Sequence, residues 1–242
     1  MPVVFVTGSS RGIGFGIAKK FAQNGYKTVL NGCNDRHMLN TAVRELNSAH
    51  GGVMGVFADM SDYAQANGAI NEIDAAFGPV DVLINNAGVA SFGLFTDASP
   101  KIIAEIINAN LHTTINASHL VLPQMVRRKA GSIINITSIW GVCGASCEVV
   151  YSTAKAGVIG LTKSLAKEVG PSGVRINAIA CGAFETRMND RLTLEEKADF
   201  VAEIPLGRFG MPHEVGDLAL FLASNQAEYL TGQIINLDGG VL

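Results

Sequence analysis

Seven short apolar runs recur along the chain, bounded by Gly, Asn or Asp, and they limit the folds that it can adopt. Their length and their Val and Ile content predict buried β-strands. The segments between them have the apolar spacing of helices, for example at Leu161, Leu165 and Val169. Strands that alternate with helices form a parallel sheet covered on both faces. We therefore predict a doubly wound α/β sheet of about seven strands. The runs lie at residues 3–6, 28–30, 53–57, 80–84, 133–136, 176–179 and 234–237.

The composition favours one domain with neither a nucleic-acid nor a metal-binding role. The 242 residues contain no low-complexity tract, repeat or Pro/Ser-rich linker, so we predict a single domain over residues 1–242. A formal charge of −3 gives no electrostatic reason to expect nucleic acid or an anionic membrane as partner. The four cysteines lack the paired spacing of a zinc site, so no metal is expected. No apolar stretch approaches the ~18 residues that span a bilayer, and a cytoplasmic setting is expected.

A glycine-rich segment, TGSSRGIG, occupies residues 7–14, after the first predicted strand and before a predicted helix. Gly8, Gly12 and Gly14 allow a tight turn and let the backbone approach a pyrophosphate, while the first amides of the helix face the anion. A turn that binds no ligand is the alternative. The position after strand one favours a dinucleotide site in a Rossmann-type fold.

Five motifs in order make the chain resemble the short-chain dehydrogenase/reductase (SDR) family over essentially its whole length. The glycine motif has the family form TGxxxGIG, and NNAG follows the fourth predicted strand. Asn110, Ser138, the Tyr151/Lys155 pair and Thr186 then come in the family order. The resemblance implies an NAD(P)-dependent oxidoreductase acting on an alcohol or carbonyl group. It implies cofactor contacts at Gly8, Ser10, Arg11, Gly12, Ile13, Gly14, Asn34, Asp59, Met60, Asn86, Ala87, Gly88, Tyr151, Lys155, Gly182 and Thr186.

Tyr151 and Lys155 are four residues apart, which puts phenol and ammonium on one face of a helix. Adjacent positive charge from Lys155 and an oxidised nicotinamide favours the phenolate, so proton transfer becomes feasible near neutral pH. The resemblance implies that Tyr151 protonates the developing alkoxide, that Ser138 donates a hydrogen bond to it, and that Lys155 binds the nicotinamide ribose. It also implies that Asn110 holds open a helix and a water through which the proton is replaced. Taken singly, a surface Tyr–Lys pair, a capping serine and a polar helix position are the ordinary alternatives.

The end of the second predicted strand favours NADP(H), with NAD(H) as the alternative. NAD enzymes of this kind place an acidic side chain there, which repels a 2'-phosphate, whereas residues 32–34 read Gly-Cys-Asn, with Asp35 close by. Arg11 matches a basic position that NADPH-preferring relatives use, and Arg36 is a second candidate for the phosphate. The alternative to phosphate binding is that both arginines are solvated surface charges. Asp59 resembles the family aspartate that meets the adenine amino group, and a helix cap is equally compatible with its position.

The sixth predicted strand ends in Cys181-Gly182 where the family has Pro-Gly. Loss of proline frees the backbone without removing a catalytic group, so activity should survive. Cys181 is either a thiol that makes the enzyme sensitive to alkylation or a small buried residue in place of proline. The polar stretch 186–204 precedes a helix start at Pro212 and is interpreted as a lid over the substrate.

Within the family the chain looks most like bacterial 3-oxoacyl-[acyl-carrier-protein] reductases, notably in IPLGRFGMPHEV at 204–215 and YLTGQIINLDGG at 229–240. This implies reduction of a 3-oxoacyl thioester with NADPH. Those reductases use basic residues near the active-site entrance to bind the acidic carrier protein. Lys129, beside two arginines, preserves one of these basic positions, whereas Ser172 stands at the second. The resemblance also implies a homotetramer, or a dimer, through two long helices, at Leu111 to Arg127 and at about Tyr151 to Val169.

Glu148 lies three residues before Tyr151, where the family lines its substrate pocket. A carboxylate there favours a cationic amine or a polyhydroxylated substrate over a plain acyl chain, and a solvated loop position is the alternative. The pattern resembles a subgroup thought to reduce a 5-aminopentanone group on a lysine of elongation factor P. Oxidation of a sugar or secondary alcohol is a further alternative. A non-enzymatic NADP redox sensor is disfavoured, because such proteins typically lose the tyrosine or the lysine.

Overall fold

A computed structural model describes residues 1–186 and 193–242, and its centre is one parallel sheet of seven strands. The strands lie in the order β3-β2-β1-β4-β5-β6-β7, so the order reverses between β1 and β4. All six strand pairs are parallel. The doubly wound sheet that the apolar runs predict is confirmed. The strands are β1 Val3–Val6, β2 Lys27–Gly32, β3 Val53–Phe57, β4 Val82–Asn85, β5 Gly131–Ser138, β6 Val174–Cys181 and β7 Ile234–Leu237.

Helices cover both faces of the sheet. One apolar cluster joins β1 and β4 to residues of α1, α2 and α9, and a second joins the opposite side chains to α3, α5 and α7. Successive residues of β1 therefore alternate between the two clusters, and all four are buried. The helices are α1 Gly12–Gln23, α2 Arg36–His50, α3 Tyr63–Phe77, α4 Pro100–Ile107, α5 Thr113–Arg128, α6 Trp140–Cys143, α7 Val149–Val169, α8 Leu194–Ala202 and α9 Pro212–Ala223.

The reversal of strand order places a crevice at the carboxyl ends of β1 and β4. Loops that follow neighbouring strands on opposite sides of such a point diverge, because their helices cover opposite faces of the sheet. Thr7 and Asn86, the residues after these two strands, meet across this crevice, where the Thr7 hydroxyl accepts a hydrogen bond from the Asn86 amide at 3.0 Å. The topology therefore predicts a ligand site at this edge.

One predicted element boundary needs correction, and one predicted segment lies partly outside the described residues. The segment predicted to be helical from Leu111 begins with a π-helical turn over Asn108–His112, and the α-helix itself starts at Thr113. Residues 187–192 of the predicted lid lie outside the described residues, and the described remainder contains α8. Helix α9 begins at Pro212, as predicted. The predicted strands at 133–136 and 176–179 each extend to eight residues.

Among residues 1–186 and 193–242, none of the helices is long and apolar enough to cross a bilayer. The same part holds no group of three or more His, Cys, Asp or Glu side chains that could bind a metal ion.

Helices α1 and α9 cross in close contact because both present glycine at the crossing. A Cβ on Gly16 would lie 2.7 Å from the carbonyl carbon of Pro212. A Cβ on Gly216 would lie 3.0 Å from the carbonyl oxygen of Gly16. These distances are below van der Waals contact, so the two helix backbones can approach this closely only without side chains there.

We expect Gly16→Ala to destabilise the protein by about 1–3 kcal/mol, because the methyl group overpacks a backbone contact. The matched control is Gly68→Ala, at an exposed position inside α3 where an added Cβ meets nothing within 4 Å. That substitution should stabilise by about 0.5–1 kcal/mol through helix propensity alone. Urea unfolding midpoints measure both effects, and equal shifts in the two variants would contradict the packing argument.

Candidate active site

One cavity of about 980 Å³ opens at the carboxyl edge of the sheet and joins the glycine-rich loop to the predicted catalytic residues. Its walls include four aromatic side chains besides Tyr151, together with glycines and polar groups. Among the residues predicted for the site, it is lined by Gly8, Arg11, Gly12, Ile13, Gly14, Asn86, Gly88, Asn110, Ser138, Glu148, Tyr151, Lys155, Gly182 and Thr186. The predicted residues Ser10, Asn34, Asp59, Met60 and Ala87 lie outside this lining.

The loop after β1 has the geometry of a pyrophosphate cradle. Gly8 has φ +60°, and a Cβ there would lie 2.7 Å from the Ala87 Cα, so only glycine fits. Helix α1 begins at Gly12, and Arg11 before it is exposed in extended conformation. The first amides of α1 are available to an anion at this end of the cavity. These features fit a dinucleotide phosphate.

Two side chains that the sequence analysis did not select fix this cradle. The Asn31 Oδ1, buried in β2, accepts a hydrogen bond from the Gly8 amide at 3.1 Å. The Thr7 hydroxyl accepts hydrogen bonds from the amides of Asn86 and Ala87, both at 3.0 Å. An asparagine inside an otherwise apolar strand run was the available signal for Asn31, because a buried amide needs partners.

Asp35, the acidic residue that follows the second strand most closely, already has a structural role as a helix cap. Asp35 caps α2 and accepts a hydrogen bond from the Met38 amide at 2.9 Å. The Arg36 guanidinium lies over the Phe57 ring, 4.3 Å from its centroid, at the end of β3. Arg36 therefore stands at the edge of the sheet where an adenosine phosphate would be met.

Asp59 and Met60 form the turn after β3. The Asp59 carboxylate accepts hydrogen bonds from the Ser61 amide at 2.9 Å and from the Ser61 hydroxyl at 2.8 Å. Asp62, not Asp59, caps α3, so the capping alternative for Asp59 is wrong. Burial, with a smaller effect of the Asp59 charge, raises the pKa of the Cys33 thiol, so Asp59 faces the end of β2. Met60 is buried.

The catalytic candidates converge from β5 and α7. Ser138 ends β5, and its Oγ accepts a hydrogen bond from the Trp140 amide at 3.1 Å. The Lys155 Nζ lies 5.7 Å from the centroid of the Tyr151 ring and donates to the Ile136 carbonyl at 3.1 Å. The Thr137 hydroxyl donates to the Lys155 carbonyl at 2.9 Å. Strand β5 thus holds Lys155 by both its ammonium and its backbone.

Burial dominates the titration of this pair. It raises the pKa of Tyr151 well above its ordinary value, and the hydrogen bond with Ser138 lowers that pKa by a smaller amount. Burial likewise lowers the pKa of Lys155 to about 8. In the protein alone, desolvation of the phenol is the largest effect on this pKa. The expectation that Lys155 and an oxidised nicotinamide together favour the phenolate concerns the cofactor complex and stays a prediction. In this state Tyr151 is a proton donor.

Asn110 lies in the π-helical turn and is fully buried. Its Nδ2 donates to the carbonyls of Val89 and Ile106, each at 2.9 Å, and its Oδ1 accepts from the Val89 amide at 3.2 Å. The space beside Gly88 is filled by the Asn110 Oδ1 and the Lys155 Nζ. The amide therefore ties the widened turn to the loop after β4, next to the lysine.

Glu148 and Cys181 line the cavity together with Tyr151. Glu148 precedes the first turn of α7, lines the cavity, and its charge adds to the effects that raise the pKa of Tyr151. Cys181 is buried at the end of β6 and pairs in register with Ser138. Burial raises the pKa of its thiol to about 12, which keeps it protonated and favours the packing interpretation over a reactive thiol.

Comparisons with known proteins identify the family of this arrangement. The sequence model of a family described as "Enoyl-(Acyl carrier protein) reductase" matches residues 8–242. The chain belongs to the short-chain dehydrogenase/reductase family. The predicted resemblance is confirmed, and this SDR is an NAD(P)-dependent oxidoreductase that acts on an alcohol or carbonyl group.

Curated relatives and a solved structure match this SDR over nearly its whole length. The 3-oxoacyl-[acyl-carrier-protein] reductase FabG of Chlamydia muridarum is 39% identical over 98% of this chain and 95% of its own. The uncharacterized oxidoreductase YmfI of Bacillus subtilis is 38% identical over 97% of this chain and 96% of its own. A crystal structure of an Agrobacterium tumefaciens protein assigned as a gluconate dehydrogenase has TM-score 0.95 and 30% identity, covering 99% of this chain and 95% of its own.

The aromatic wall of the SDR cavity was not found from the sequence. Its four members come from separate loops and helices, and an isolated aromatic residue has no spacing that marks it as part of a site. The loop before α4 and the lid region contribute two of them, and the ends of β5 and β6 contribute the others. They are Phe92, Trp140, Phe184 and Phe200.

We expect Lys155→Met to be more stable than the wild type at neutral pH, although inactive, because it removes a buried ammonium. The pKa of Lys155 is about 8 in the folded protein against an ordinary value of 10.5, so the unfolded chain binds more protons between these limits. The free energy of unfolding of the wild type therefore rises with pH through this window. The stability advantage of Lys155→Met over the wild type should narrow by on the order of 2 kcal/mol. Urea unfolding between pH 7 and 10.5 measures it.

Lys167→Met, at an exposed position on the same helix, is the control. A stability difference between wild type and Lys155→Met that stays constant with pH would contradict the burial argument.

Proposed function

We propose that this SDR is an NADPH-dependent carbonyl reductase whose substrate is a 3-oxoacyl thioester. The supporting observation is that Ser138, Tyr151 and Lys155 line the same cavity as the pyrophosphate cradle. The identity to FabG enzymes, 39% for the protein of Chlamydia muridarum, favours this substrate class. When bound, the nicotinamide supplies the hydride.

In this proposal the side chains stabilise and protonate the negative charge that develops on the carbonyl oxygen. Tyr151 donates its proton to the developing alkoxide, and its raised pKa keeps it protonated for that purpose at neutral pH. Ser138 donates a hydrogen bond to the same oxygen. Lys155 would bind the nicotinamide ribose, and Asn110, by holding the π-helical turn open beside it, would keep the water through which the proton is replaced.

The preference for NADPH rests on the phosphate end of the cavity. Asp35 is used as a helix cap, so its carboxylate already has a structural role. Arg11 lines the cavity, and Arg36 is held over Phe57 beside the strand end. Two guanidinium groups at this edge suit a 2'-phosphate better than a ribose hydroxyl.

The proposal is tested by initial rates of NADPH and NADH oxidation with a 3-oxoacyl thioester. We expect turnover with NADPH preferred, and a loss of roughly 10²–10⁴-fold in kcat for Tyr151→Phe, because the proton donor is gone. NADPH binding, followed by fluorescence titration, should change far less than kcat in that variant. Arg11→Gln should weaken NADPH binding and leave NADH binding unaltered. Absence of thioester turnover with intact NADPH binding would contradict the thioester assignment.

A second candidate substrate is favoured by Glu148. Its carboxylate lines the cavity and acts on Tyr151, so it lies within electrostatic range of the reacting oxygen. A primary ammonium on the substrate would pair with it, as in a 5-aminopentanone group attached to elongation factor P. A polyhydroxylated substrate, the sugar or secondary alcohol alternative, would use the same oxygens as hydrogen-bond acceptors.

Two ketones of equal length separate these candidates: 7-aminoheptan-2-one carries an ammonium where octan-2-one carries a methyl group. If Glu148 recognises an amine, Glu148→Gln should lower kcat/KM for the amino ketone roughly tenfold or more and should not lower kcat/KM for octan-2-one, since charge-assisted hydrogen bonds contribute about 1.5–3 kcal/mol. Glu168→Gln, exposed on the same helix, is the control. Equal effects on both ketones would exclude the amine assignment.

Carrier-protein docking and assembly remain predictions. Lys129 is exposed in the left-handed conformation that ends α5, whereas Arg128 is bonded to Asp81 at 3.1 Å and to the Val80 carbonyl. Of that basic group, Arg127 and Lys129 are therefore the residues proposed to meet an acidic carrier. A homotetramer and a cytoplasmic location are likewise proposed from the family resemblance.

A further inference from the structure

The loop between α8 and α9 is clamped by an ion pair that the proposed chemistry does not use. The Arg208 guanidinium binds Glu214 through both nitrogens, at 2.7 and 2.9 Å, and Glu214 also accepts a hydrogen bond from the Met211 amide at 2.6 Å. Such a two-bond fork fixes orientation as well as distance. Glu214 belongs to the first turn of α9, so the clamp anchors the loop to a packed helix.

The clamp continues to the wall of the active-site cavity. Arg208 donates a further hydrogen bond to the Phe209 carbonyl at 3.0 Å, and the Phe209 ring is buried. The Phe200 ring of α8 meets it edge-on, with centroids 5.8 Å apart and planes at 78°. Phe200 in turn lines the cavity. A continuous chain of contacts thus runs from Glu214 to the cavity.

The same loop is attached to the end of β6. The Gly210 amide donates to the Ala183 carbonyl at 2.9 Å, and the Glu185 amide donates to the Gly210 carbonyl at 2.8 Å. Gly210 packs under the ring of Phe184, which also lines the cavity. Two of the aromatic side chains that line the cavity, Phe184 and Phe200, therefore contact the clamped loop.

We propose that Glu214 is a positioning residue, which acts through Arg208 and Phe209 to fix Phe200 in the cavity wall and thereby sets affinity for the carbonyl substrate. The aromatic wall suits the apolar part of such a substrate, whereas the cofactor end of the cavity is built from glycines and amides. This inference rests on the proposed function. The pKa of Glu214 is held at about 2, chiefly by its hydrogen bonds with Arg208 and the Met211 amide, so the clamp is ionised throughout the assay range.

A double-mutant cycle tests the proposal, with Glu214→Gln, Phe200→Ala and the pair. We expect Glu214→Gln to raise KM for the carbonyl substrate about three- to tenfold, with kcat changed less than twofold and the NADPH dissociation constant unchanged. In the Phe200→Ala background the same substitution should have a much smaller effect on KM, because the route through Phe209 and Phe200 is gone. Arg208→Lys, which keeps the charge but loses the fork, should reproduce the KM effect.

Asp217→Asn is the matched control, since Asp217 lies on the same helix and pairs with Lys20 of α1, away from this loop. It should leave KM unchanged. A full KM effect of Glu214→Gln in the Phe200→Ala background, or an equal effect of Asp217→Asn, would overturn the proposal. The cycle uses whichever carbonyl compound the wild type reduces, so the thioester assignment can fail while the clamp is still tested.

Discussion

The contact between the ends of β1 and β4 is the constraint on which the site depends. The Thr7 hydroxyl accepts hydrogen bonds from the backbone amides of Asn86 and Ala87. The Asn86 side chain donates hydrogen bonds to the carbonyls of Thr7 and Gly8. This contact brings Gly8 against Ala87 so closely that no side chain fits. Loosening it would move the phosphate cradle and the loop before Asn110 together, because both start from these two strand ends.

Catalysis requires polar groups that are costly to bury, and β5 offsets part of that cost. Lys155 is almost fully buried, yet its ammonium donates a hydrogen bond to the Ile136 carbonyl. Its backbone carbonyl accepts a hydrogen bond from the Thr137 hydroxyl. Burial shifts the pKa of Tyr151 upward and that of Lys155 downward, so both neutral forms are favoured. The reductive direction benefits, since it begins from a protonated phenol.

The sequence was informative where local pattern and tertiary role coincide. Apolar runs predicted all seven strands, because a strand buried on both faces needs continuous apolar residues. The four-residue step from Tyr151 to Lys155 predicted their shared helix face. The π-helical turn at Asn110 was not predicted, since one extra residue per turn hardly changes hydrophobic spacing. Phe200 and Asn31 were missed because their roles depend on contacts with distant segments.

In the proposed reaction, Glu148 would link substrate recognition to the acid strength of Tyr151, which the sequence pattern alone could not express. Burial is the main cause of the raised pKa of Tyr151, and the negative charge of Glu148 adds a smaller increase that makes the phenol a weaker proton donor. A substrate ammonium paired with Glu148 would offset that charge and lower the pKa of Tyr151 toward its ordinary value. A neutral acyl substrate would leave the charge in place. Under the proposed amine assignment, the carboxylate would therefore couple the charge of the substrate to the acidity of Tyr151, an effect that requires Glu148 and Tyr151 to share one cavity.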